Sequence, residues 1–96
     1  MTLADLTAAS FTDRLHETFA VALPTGTLEL TLAEVEHLGS SSPARQAFSL
    51  RFQGPARPIL PQAIYRLENA AMGALDIFIV PLGPRQGGMV YEAVFT

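Results

Sequence analysis

The sequence contains no cysteine, no lysine and no tryptophan. Without cysteine there are no disulfides and no thiolate zinc sites, and nothing demands an oxidising compartment. Without lysine, the basic charge rests on six arginines: Arg14, Arg45, Arg51, Arg57, Arg66 and Arg85. They are scattered, and the formal net charge is −3. A nucleic-acid surface needs clustered positive charge to displace counterions from phosphate, so no nucleic-acid partner is expected. Charge of either sign is scarce, at 16% of residues against a usual share of about 25%. Long apolar runs are lacking too. The longest, Ile77 to Leu82, is interrupted by Pro81 and is far shorter than the roughly 20 residues of a membrane-spanning helix. The opening residues Met1 to Asp5 have neither the basic start nor the apolar core of a signal peptide. The expectation is a cytoplasmic chain with no membrane partner.

What the chain does have is apolar residues, 49% of 96. That length predicts one domain, spanning residues 1–96. With so few charges to wet the surface, either nearly every apolar side chain is hidden or some of them meet a partner.

Residues 1–17 read as a helical arm. Leu3, Leu6, Phe11 and Leu15 form a loose helical stripe, with Ser10 or Thr12 as the cap and Asp13 in the first turn. From residue 18 the period shortens to two. Phe19, Val21 and Leu23 alternate with smaller residues, Pro24-Thr25-Gly26 is a turn, and Leu28, Leu30 and Leu32 share one face of the next strand. Val35 has the opposite parity to Leu32, which predicts a bulge near Ala33-Glu34. A Gly39-to-Pro43 loop follows, then a strand with Phe48, Leu50 and Phe52 facing inward. Three prolines between Gly54 and Pro61 predict a crossing loop, held to the domain by Ile59 and Leu60.

The strand from Ala63 to Glu68 places Tyr65 and Leu67 on one face and Arg66 and Glu68 on the other. In the strand from Ala74 to Val80, Leu75, Ile77 and Ile79 face one way and Phe78 and Val80 the other. A strand apolar on both faces is expected to be covered on both. Gly83 to Gly88 reads as a flexible turn before a final strand from Met89 to Phe95. No helix separates the strands, so parallel crossovers are not expected. The prediction is a mostly β fold: a compact antiparallel six-stranded barrel or two-sheet roll over residues 18–96, with the short N-terminal helix plugging one end or covering one face.

The search for chemistry is short. Glu34 and Glu36 share a strand face while His37 takes the other, and only His16 remains to join them, so no metal site is expected. Ser40, Ser41 and Ser42 lie in a loop without the strained elbow of a nucleophile. Asp76, in an otherwise apolar strand, reads as a buried acid paired with Arg66 across the hairpin. The glycine-rich turn at 83–88 lacks the Lys-Ser/Thr of a phosphate loop. No catalytic residue, cofactor or metal ligand is assigned. Two surfaces stand out. Ser49, Arg51 and Gln53 point outward together, with Arg66 expected to extend this polar binding face on a neighbouring strand. Phe78, Val80 and Val94 form a candidate interface.

The segments Phe48 to Pro55, Leu60 to Glu68, Gly73 to Gly83 and Tyr91 to Phe95 carry a Phe-Ser-Leu strand, a Leu-x-Gln turn, a Phe-x-Val-Pro strand and a terminal Tyr-Glu-Ala-Val-Phe. In this combination the chain resembles a family of short, uncharacterised bacterial proteins. The resemblance supplies no catalytic residues. It implies a setting beside phage-tail-collar-like fibre proteins, and hence a structural role. The leading expectation is a non-enzymatic structural or interaction module that binds itself or another protein. The alternative is a small-ligand-binding or enzymatic barrel with Tyr65, Tyr91, Asp76 and Arg66 lining its mouth.

Overall fold

A computed structural model of the chain describes residues 6–42 and 45–95, without the side chains of 40–42 and 45–46. Its elements follow the alternation. Among the described residues they are one helix, α1 (Ala8–Thr12), and six strands: β1 (Thr18–Leu23), β2 (Gly26–Ser42), β3 (Arg45–Pro55), β4 (Ala63–Asn69), β5 (Gly73–Arg85) and β6 (Gly88–Phe95). All pairings are antiparallel, and the order β1-β2-β3-β6-β5-β4 closes into a ring. The ring is an irregular barrel, because β5 changes partner: Gly73 to Ile79 pair with β4, and Val80 to Arg85 pair with β6.

The expected bulge is present. The β2–β3 register shifts between Leu32 and Glu34, and Val35 then packs against the core that Leu28, Leu30 and Leu32 already line. Two expected loops are partly strand. β2 runs on to Ser42 through further register shifts at 37–39 and 40–42, so this Gly-Ser stretch is a bulged strand. β5 likewise continues to Arg85, with a shift between Pro81 and Gly83, and the turn shrinks to Gln86 and Gly87. Both turn residues have positive φ, 52° and 77°, as a two-residue hairpin requires. Glycine and proline read as loop in the sequence because they interrupt regular strands. Here they make the irregularities that bend a barrel.

The helix starts earlier than expected. Thr7 is its N-cap, and its N–H donates to Ser10 Oγ at 3.1 Å. Thr12 lies inside the helix, its hydroxyl turned back onto the Ala8 carbonyl at 3.0 Å, and Asp13 is the C-cap. Leu3, expected on the arm's stripe, lies outside the described residues. Of the two places foreseen for the arm, it takes the barrel end. Phe11 is fully buried and reaches the rings of Phe19, Phe48 and Phe95 at 6.5, 5.9 and 5.5 Å. Phe48 and Phe95 stack at 4.7 Å beneath it.

The interior is filled by Phe19, Leu30, Leu50, Phe52, Leu67, Ile77, Ile79 and Tyr91, all essentially inaccessible. Gly54 lets two of these layers meet. A Cβ there would lie 2.7 Å from Leu30 Cδ2, closer than packed carbons approach. Leu60 is buried as expected, whereas Ile59 is exposed. Both tyrosines hold the crossing loop: Tyr91 accepts the Leu60 N–H at 2.9 Å, and Tyr65 donates to the Pro61 carbonyl at 2.7 Å. The β1–β4 seam is short, joining Ala20 to Glu68 and Val21 to Leu67. The buried Asn69 side chain reinforces it. Its amide donates to Glu17 Oε1 and the Thr18 carbonyl, each at 3.1 Å, and its oxygen accepts from Ala71 and Met72 N–H.

Candidate functional site: two outer faces of the barrel

Outward side chains of adjacent strands fall into rows across the barrel, since strand residues alternate and antiparallel partners share a face. One row runs Glu34–Arg51–Glu92, joined by the β2–β3 and β3–β6 registers. Arg51 Nη1 lies 3.1 Å from Glu34, and its Nη2 lies 3.8 Å from Glu36 and 3.7 Å from Glu92. Arg85 adds a 3.8 Å contact to Glu34. Three carboxylates thus share two guanidinium groups. This confirms that Glu34 and Glu36 lie on one face, where they pair with arginine. Among the described residues no group of three or more acidic or histidine side chains is arranged to hold a metal ion.

This network changes the polar face foreseen from the sequence. Ser49 was expected to point outward into solvent. It is only 1% exposed, because it sits between Glu36 on β2 and Val94 on β6, beside Arg51. Its Oγ, like Arg51 Nε, is buried without a hydrogen-bond partner. Gln53 is tied across to the Arg85 carbonyl at 2.9 Å. Arg66 does not extend the face. It lies on β4, and β6 and β5 stand between that strand and β3. Parity set its outward direction correctly, but it carries no information about which strands become neighbours.

Arg66 instead faces Asp76, its register partner on β5, with Nε 3.3 Å from Oδ1. The pairing is the expected one. The expected burial is not found, as the two side chains are 66% and 60% exposed. One step along the strands, Ile64 pairs with Phe78 on the same outward face. Ile64 is 69% and Phe78 51% exposed. Val94, outward on β6, is 53% exposed. The N-terminal arm does not cover Phe78, because α1 is occupied at the barrel end. Val80 is half-buried opposite Glu92, at the margin of the charged row. Ile64 joins this face through its parity with Arg66 and Glu68, a signal present in the sequence.

A family model described as a domain of unknown function, DUF6916, matches residues 6–95. The chain belongs to this family. The DUF6916 match takes in α1 and all six strands, so both outer faces lie inside it. It agrees with the sequence-based resemblance as far as membership of an uncharacterised family goes. No curated protein and no solved structure matches the chain significantly.

The residues expected to line a ligand-binding mouth do not converge. Arg66 and Asp76 lie outside on the β4–β5 face, Tyr91 is in the core, and Tyr65 is held at the crossing loop. No helix among the described residues is long and apolar enough to cross a membrane.

Proposed function

We propose that this chain is a non-enzymatic protein-interaction module whose contact surface is the outer face of β4 and β5 with the adjoining end of β6. The observation that carries this reading is the exposure of Ile64 and Phe78, register partners on the outward side of β4 and β5, with Val94 also exposed on β6. Leaving three large apolar side chains in water is unfavourable by about 25 cal/mol per Å². Exposed apolar surface of this kind marks contact sites. The ionic groups of the opposite face support the reading, since Arg51, Arg85, Glu34, Glu36 and Glu92 are engaged with one another.

The setting we propose is a structural accessory to a fibre-like or phage-tail-like assembly, acting in the cytoplasm. It rests on the resemblance of the strand motifs. The test is photo-crosslinking in the native host, with Phe78→p-benzoylphenylalanine against the same substitution at the exposed control Glu29. A covalent protein adduct at position 78 and none at 29 is the expected result. No adduct at 78 overturns the proposal.

A further inference from the structure

Building on the interaction reading, we infer that the partner of the β4–β5 face is a second copy of this chain, docked about a two-fold axis that runs along the strands between β4 and β5. The register carries the inference. Ile64 pairs with Phe78 and, one outward row further on, Arg66 pairs with Asp76. A half-turn about an axis in the plane of this face, parallel to the strands, exchanges the β4 and β5 columns. It sets Ile64 on the second copy's Phe78 and Arg66 on the second copy's Asp76. The same rotation satisfies both rows twice over. This self-complementarity is what an isologous contact requires.

The charges point the same way. Arg66 and Asp76 cancel within their row, with opposite signs on either side of the axis, and Glu68 in the next outward row has the uncharged Ala74 as its register partner. A strongly acidic or basic partner would be matched by a single sign. Their intramolecular contact is one 3.3 Å approach between largely exposed side chains. It leaves the two terminal guanidinium nitrogens and the second carboxylate oxygen available to another chain. The opposite face fits a second copy poorly. Its three carboxylates outnumber the two arginines that hold them, so stacking it on itself brings like charges together.

Two exposed apolar side chains and one ion pair from each copy make a contact smaller than the roughly 800 Å² per partner of a standard interface. A contact of that size is expected to be weak, dissociating at roughly micromolar concentration or above.

Sedimentation velocity from about 1 µM to about 1 mM, which brackets that range, tests the inference. The wild-type chain shifts from monomer to dimer. Arg66→Asp and Asp76→Arg each weaken the dimer about tenfold, because each puts like charges across the axis. An equimolar mixture of the two variants restores dimerisation. In the mixed dimer the acid introduced at position 66 of one copy faces the base introduced at position 76 of the other. The unchanged Asp76 of the first copy then faces the unchanged Arg66 of the second. A wild-type monomer at every concentration overturns the inference, as does a mixture no tighter than either variant alone. The restoration needs no core substitution, so it does not depend on a variant that fails to fold. Crosslinking at position 78 separates this inference from the reading beneath it. An adduct of twice the chain mass supports both, an adduct with a different protein overturns only the second copy, and no adduct overturns both.

Discussion

Arg51 and Arg66 sit at outward positions on opposite sides of the same ring, and their surroundings differ. Arg51 is part-buried among Glu34, Glu36 and Glu92, over a buried serine. Arg66 has one carboxylate and is largely exposed beside an apolar row. The cause lies in the strand order. Arg51 is on β3, flanked by β2 and β6, each carrying an acid in register with it. Arg66 is flanked by β5, which offers Asp76, and by β1, whose seam with β4 is short. On one face the charged groups are therefore engaged with one another. The other keeps apolar surface and bonding capacity for something outside the chain.

The comparison can be broken from its foundation upward. Phe52, buried behind the charged face and edge-on to Phe19 at 5.4 Å, supports that side. Phe52→Ala should cost about 3–5 kcal/mol in chemical denaturation. A much smaller loss would mean that the interior beneath that face is not close-packed. Arg51→Ala comes next, at about 1–2 kcal/mol, since it leaves three carboxylates facing one another. Added salt should recover part of that loss by screening the repulsion. The same substitution at Arg66 should shift stability by less than about 0.5 kcal/mol. Equal effects at the two arginines would erase the contrast.

Ser49→Ala is expected to be neutral or to stabilise by up to about 1 kcal/mol, because it removes a buried hydroxyl that has no partner. A clear loss in the melting midpoint would show that the hydroxyl is bonded after all. Phe78→Ser should have the smallest effect on monomer stability, within about 0.5 kcal/mol, with an unchanged circular dichroism spectrum. If it unfolds the chain as Phe52→Ala does, the β4–β5 face belongs to the core.

Much of this architecture is legible in the sequence because alternation reports which way a side chain points. Leu28, Leu30 and Leu32, then Phe48, Leu50 and Phe52, then Leu75, Ile77 and Ile79 all face inward as read. The break in parity at Val35 located a bulge to within a residue or two. Alternation is silent on sideways neighbours, which is why Arg66 was joined to the wrong face. It is silent on what leans over a small side chain, which is why Ser49 was expected in water. Composition misled at 39–42 and 83–85, where glycine, serine and proline sit within bulged strands. The apolar surface was half legible. Phe78 and Val94 stand out as apolar residues at outward positions, whereas Ile64 shares its strand face with the charged Arg66 and Glu68, which mask it.

The Asn69 side chain, described above as reinforcement of the short β1–β4 seam, gives the ring a latch. One amide holds the β4–β5 turn to Glu17 and to the first residue of β1, where few backbone pairs do so. Rings stapled at one thin seam open there before they melt elsewhere, because a local opening forfeits few contacts. Amide exchange is expected to read this as a hinge, with β1 and β4 exchanging before β2, β3 and β6.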